Sequence, residues 1–300
     1  MLIENFNFIQ SQYPQVFMVT AFCFGAIVGS FLNVCIYRIP EGISVVYPGS
    51  RCGYCGASIP WYLNIPIFTW FFLRGKAACC EGTFSFRYAF VEILTGVAFL
   101  WAWLYYEPVV AIIGMVFAAI LIATTFIDLD HMIIPLRFSV GGMLLGVILS
   151  FVFPQLHGMD AAVGLESHLK SGILSIVGVL VGSGTIYWIR LLAEIALKKE
   201  AMGEGDVMFM GCIGAFCGWE GGLFAIFGGS TIGTLLVVPI MLVQRLTQKR
   251  SVDSEEKDDD SLKIGMAVPF GPMLALGGWL YFAGLSPWVE AYLQTIVEIF

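Results

Sequence analysis

Long apolar runs, separated by short polar punctuation, dominate the chain. Runs long enough to cross a bilayer, about 17–25 residues, fall at roughly 16–37, 87–106, 108–127, 136–153, 170–192, 205–219, 221–243 and 267–284. The pattern predicts an all-α polytopic membrane protein with about eight transmembrane helices. The sixth run is short and glycine-rich, and Trp219-Glu220 sets it apart from the seventh. Residues 286–300 predict an amphipathic helix at the interface. Two stretches break the pattern. Residues 41–86 mix polar residues with Pro, Gly and four cysteines, which predicts a small cytoplasmic subdomain. It would separate the first span and its closing motif (1–40) from a multi-span unit (87–300). Residues 247–263 are rich in charge of both signs and predict a solvated linker. No internal repeat is evident.

Positive charge orients these spans, because Lys and Arg favour cytoplasmic loops. Loops of one parity carry 14 of the 15 basic residues, among them Arg38, Arg51, Arg74, Lys76, Arg87, Arg137 and Arg190. The other parity holds only Lys170. A wrong span count would scramble this split, so it supports the number of spans as well as their sidedness. Both termini are expected outside, and the 38–87 loop inside. The first 15 residues carry no basic n-region, so the first apolar segment is expected to remain as a span. Composition agrees: 58% of residues are hydrophobic and 12% charged, against about 25% charged in soluble domains. A net charge of −7 argues against a nucleic-acid partner.

Two acidic residues at span boundaries carry the candidate chemistry. Asp128 ends the third span in Thr-Phe-Ile-Asp-Leu-Asp-His, and Asp206 opens the sixth in Gly-Glu-Gly-Asp. The orientation puts both at the same depth on the cytoplasmic side. Carboxylates there are costly unless solvated, paired or useful. Close together, they would share a proton, one acting as base on a water and the other as acid toward a peptide carbonyl. Each alone is equally explained as a helix cap or a headgroup contact. Proton or ion coupling in a transporter also uses paired carboxylates, but nearer the midplane. Asp130 would face a different way on the same helix.

The cysteines form a second constellation. Cys52-Gly-Tyr-Cys55 is a C-x2-C knuckle, and Cys79-Cys80 follows. Four thiolates in a small cytoplasmic insert suit a closed tetrahedral zinc site, and a reducing cytoplasm argues against disulfides. The adjacent second pair departs from the usual spacing, so free thiols with a redox-prone vicinal pair stay open. Cys23, Cys35, Cys212 and Cys217 read as small apolar packing residues. His131, His157 and His168 show no ligand spacing, and aromatic residues near span ends read as interfacial anchors.

In order along the chain, these residues resemble the bacterial type IV prepilin leader peptidases, bifunctional leader peptidase/N-methyltransferases. The resemblance rests on Gly29–Pro40, Cys52-x-x-Cys55, Leu73-Arg-Gly-Lys76, Arg87-Tyr88 with Val91-Glu92, Ile127-Asp-Leu-Asp130 with Ile134-Pro135, Gly203-x-Gly-Asp206, and Pro269-Phe-Gly-Pro272. It implies a multi-pass protein of the bacterial inner membrane. Asp128 and Asp206 would be a catalytic pair cutting a basic leader from prepilins or pseudopilins at the cytoplasmic face. The N-terminal part would methylate the new amino group with S-adenosylmethionine. Asn33, Arg38 and Glu92 are candidates to organise the first spans or the methyl-donor site. Three departures stand out. Ala77 holds the place of the family's third cysteine, Met208 that of a lysine after the second aspartate, and Leu136 that of an aspartate after Pro135. A presenilin-type protease would share the Gly-x-Gly-Asp logic but cut within a span.

Overall fold

The computed structural model describes residues 9–10, 12–80, 82–198, 202–249 and 269–299. Among them the order of helices is α1 (Pro14–Arg38), α2 (Phe68–Phe72), α3 (Arg87–Tyr105), α4 (Pro108–His131), α5 (Leu136–Val152), α6 (Leu165–Leu197), α7 (Glu204–Lys249), α8 (Gly271–Leu280) and α9 (Ser286–Ile299). No regular strand occurs among the described residues. Helices α1, α3, α4, α6 and α7 are long and apolar enough to cross a membrane, and α5 is a shorter apolar helix of 17 residues. Pro at the first turn of α1, α4 and α8 starts each helix where its missing N–H costs nothing.

Helix α4 is the spine. It is apolar on every side and the best buried of the five but for α7, as a helix surrounded by others must be. On one side Leu32, Ile36, Val91, Phe99, Ala118 and Ile127 join α1, α3 and α4. On the other, Phe117, Phe209, Ile213, Phe216 and Leu274 join α4, α7 and α8.

Helix α7 contains the sixth and seventh predicted spans. They meet at Gly218, whose φ of 70° and ψ of −176° break the helix, one residue from the expected Trp219-Glu220. The chain reverses there. A Cβ on Gly182 of α6 would lie 2.9 Å from the Met210 carbonyl, and one on Gly222 would lie 3.5 Å from the Gly182 Cα. Residues on both sides of the break therefore rest against one point of α6. The first half, 204–217, is only about 20 Å long, so the reversal sits inside the bundle. Backbone carbonyls freed at such a depth need partners. Ser175 donates to the Ala215 carbonyl at 2.8 Å and Ser150 at 3.4 Å.

The last predicted span, 267–284, is α8 followed by a π-turn at Tyr281–Leu285, and the strongly amphipathic α9 stands where the interfacial helix 286–300 was expected. The charged 247–263 segment is helical through Lys249; the rest of it lies outside the described residues.

Candidate active site and cysteine cluster

Four element ends meet at one end of the bundle: the C-terminus of α4, the turn after it, and the N-termini of α7 and α8. Asp128 lies in the last turn of α4 and is 6% exposed. A buried carboxylate needs donors, and Asp128 Oδ2 accepts the backbone N–H of Gly271 at 3.0 Å. That N–H belongs to the first turn of α8, where helix N–H groups have no partner within the helix and the dipole favours negative charge. Gly271 is required by the approach: a Cβ there would stand 2.6 Å from Asp128 Oδ2.

Asp206 occupies the first turn of α7, half-buried, and accepts the N–H of Gly203. Ile134 joins the two sites. A Cβ on Gly205 would be 2.8 Å from the Ile134 Cβ, and one on Gly271 would be 3.2 Å from its Cδ1. Ile134 therefore wedges between the helix starts that carry Asp206 and face Asp128. Asp128 and Asp206 are near enough for the charge on one to act on the other. The fold thus brings the two predicted aspartates together at one end of the bundle.

Asp130 points elsewhere. Its carboxylate forms a two-pronged pair with Arg87 at 2.5 Å on each oxygen, and the Arg87 guanidinium lies 5.2 Å from the centre of the Phe126 ring. The pair ties the start of α3 to the end of α4. His131 is exposed beside it.

The four insert cysteines converge. Their sulfurs all lie within 4.8 Å of one another, with Cys52–Cys80 at 3.6 Å, Cys55–Cys79 at 3.3 Å and Cys79–Cys80 at 3.9 Å. Tetrahedral zinc with bonds of about 2.3 Å sets sulfur–sulfur edges of about 3.8 Å, so the donor set and its spacing fit that metal. The backbone N–H groups of Cys55 and Tyr54 pull the Cys52 thiol down to about 6, while hydrogen bonding to Cys55 and Cys52 pushes Cys79 up to about 12.

Two matching hairpins hold the cysteines. Arg51 bridges Ser58 and Lys76 bridges Thr83. The Cys52 N–H donates to the Ala57 carbonyl, just as the Ala77 N–H donates to Gly82. Ala77 thus stands where the first hairpin has Cys52, and Cys80 stands where it has Cys55. The fourth sulfur comes from Cys79, in the place of Tyr54.

The remaining candidates are engaged in structure. Asn33 donates to the Tyr88 carbonyl, Arg38 donates to the carbonyls of Ser44, Pro48 and Gly49, and the Glu92 carboxylate accepts the Ile67 N–H. The roles of Gly271 and Ile134 were not read from the sequence. The only signal was the quoted Pro-Phe-Gly-Pro and Ile-Pro pairs, because a backbone N–H carries no side-chain signature.

Comparison with known proteins finds relatives along most of the chain. The profile of the bacterial peptidase A24 N-terminal domain matches residues 23–106, and that of the type IV leader peptidase family matches residues 115–238. A prepilin leader peptidase/N-methyltransferase of Myxococcus xanthus (strain DK1622) is 32% identical, covering 96% of this chain and 96% of its own. One from Dichelobacter nodosus is 28% identical over 86% and 88%. A type 4 prepilin-like proteins leader peptide-processing enzyme of Escherichia coli O78:H11 is 33% identical over 89% and 94%. No solved structure matches. With relatives this similar along almost its whole length, the chain belongs to the type IV leader peptidase family.

Proposed function

We propose that this protein is a membrane aspartic endopeptidase that removes the basic leader from type IV prepilins or pseudopilins and then methylates the new N-terminus. Asp128 and Asp206 are its catalytic pair, and one observation carries that assignment: two carboxylates from distant spans come within electrostatic reach of one another at one end of the bundle, with Asp128 held by a backbone N–H at the start of α8. Water would enter between them. One carboxylate takes its proton as the oxygen attacks the scissile carbonyl, and the other protonates the leaving amine. Glycines 205 and 271 let Ile134 and the Asp128 carboxylate close directly onto the starts of α7 and α8. Both aspartates lie at span ends, which suits a peptidase acting at the membrane boundary better than a midplane transporter.

The chain sits in the bacterial inner membrane as a multi-pass protein, and the distribution of basic loops supports an active site facing the cytoplasm. The 41–86 insert is a separate subdomain between the first span and the 87–300 peptidase unit. Cys52, Cys55, Cys79 and Cys80 hold a structural zinc ion, which staples the two hairpins. Methylation rests on the relatives' names, and S-adenosylmethionine would be the donor. Asn33, Arg38 and Glu92 organise the ends of the first spans, where each meets backbone partners.

Mass spectrometry of a co-expressed prepilin tests the reading. Wild type is expected to remove the leader and add about 14 Da to the new N-terminus, whereas Asp128→Asn and Asp206→Asn leave the prepilin intact. Full processing by either variant would refute the pair.

A further inference from the structure

Between Arg51 and Arg74 the insert has no charged side chain. Its second half folds into a 3-10 turn at Trp61–Asn64 and the short helix α2. There the side chains that a water-facing loop would hide stand out: Trp61 is 82% exposed, Phe68 74% and Phe72 85%. Tyr62 and Phe71 are also more than half exposed. Exposed Arg74 and Lys76 follow directly. A large exposed apolar patch with a basic rim marks an interaction surface.

The depth of this patch identifies what covers it. The Ile67 N–H donates to Glu92 Oε2 at 2.6 Å. Glu92 lies five residues into α3, up to about 7 Å below Arg87 along the axis. The Ser30 hydroxyl shares the same carboxylate, and it lies eight residues before the end of α1, about 12 Å. Both helices are long and apolar enough to cross a membrane. The turn preceding α2 is therefore held below the level where its two neighbours leave the bilayer.

That turn is tight. Phe68 N donates to the Pro66 carbonyl at 2.6 Å, with Ile67 between them at a φ of 66°. A β-branched residue adopts this conformation only when its surroundings impose it. Glu92 does so from below. From the side, Trp70 donates to the Phe84 carbonyl at 3.2 Å, and its ring lies 5.0 Å from that of Phe86, just ahead of α3. Trp70 is thereby turned inward, and Phe68 and Phe72 are turned out.

We infer that residues 61–72 form a monotopic hook dipped into the lipid leaflet on this side of the membrane. Trp61, Phe68 and Phe72 lie at the headgroup–acyl boundary, and Arg74 and Lys76 lie against lipid phosphates. The partner is the phospholipid surface, and the hook holds the cysteine hairpins against it. The inference rests on α1 and α3 crossing the bilayer and not on the peptidase reading, whose own test is prepilin cleavage by the same preparation.

Photo-crosslinking tests it. The full chain carrying p-benzoylphenylalanine at Phe68 or Phe72 is reconstituted in vesicles of phosphatidylethanolamine and phosphatidylglycerol and irradiated. Leu180, exposed at the middle of α6, serves as the lipid-facing control, and Glu41 serves as the water-facing one. Chains heavier by one phospholipid are expected at both hook positions, within about twofold of the Leu180 yield and at least about tenfold above Glu41. Yields at the Glu41 level would overturn the inference. So would adducts with co-reconstituted prepilin in place of lipid, which would make the surface a substrate dock. Glu92→Ala releases the tether and is expected to lower the Phe68 yield while leaving Leu180 unchanged. An unchanged Phe68 yield would remove Glu92 as the element that sets the depth.

Discussion

Asp128 is held by one backbone N–H from a residue 143 positions away. Gly271→Ala would push a methyl to within 2.6 Å of its Oδ2, and a displacement near 1 Å can cost about a hundredfold in rate. Steady-state cleavage kinetics should therefore show kcat lowered by about that factor, with KM little changed. Asp130→Asn is the contrast. It breaks a half-exposed ion pair worth no more than about 1 kcal/mol, so most of the rate should survive. The two aspartates were legible in the sequence, because a carboxylate ending an apolar run violates the pattern around it. Gly271 was not, because its contribution is a position of the main chain and not a chemical group.

The cysteine hairpins show the same limit for an element. The adjacent Cys79-Cys80 pair looked irregular as spacing. In register the irregularity resolves, since Ala77 takes the place of Cys52 and the sulfur is supplied from across the turn. The prediction is a swap. Cys79→Ser should lose zinc as fully as Cys52→Ser, and adding Ala77→Cys to Cys79→Ser should restore one zinc per chain, measured by elemental analysis of the purified protein. The two hairpins were missed as a repeat because they share backbone pairing and few side chains. The spans were easier, since each is set by its own hydropathy. Even the reversal at Gly218 was legible to within one residue, because a glycine-rich run interrupts the apolar pattern there.

At the scale of the whole molecule, one buried histidine ties stability to pH. Just beyond the end of α5 that lies away from the aspartates, His157 meets the Gly218 reversal, its Nε2 3.1 Å from the Ser150 hydroxyl. Burial lowers its pKa from 6.5 to about 4. The unfolded chain thus binds the extra proton first, so stability is fully present above about pH 6.5 and declines as pH falls toward about 4. The loss is on the order of 3 kcal/mol. Thermal unfolding in detergent should show a lower midpoint at pH 5 than at pH 7.5, and His157→Gln should flatten that difference.

The N–H that holds Asp128 belongs to α8, the last helix in the chain that closes on the site. Synthesis runs from the N-terminus, so Asp128 and Asp206 are already in the membrane while Gly271 is still to be made. During that interval the carboxylate lacks its Gly271 donor. On the proposed assignment, a chain made only as far as α7 would carry both aspartates and still be unable to cleave.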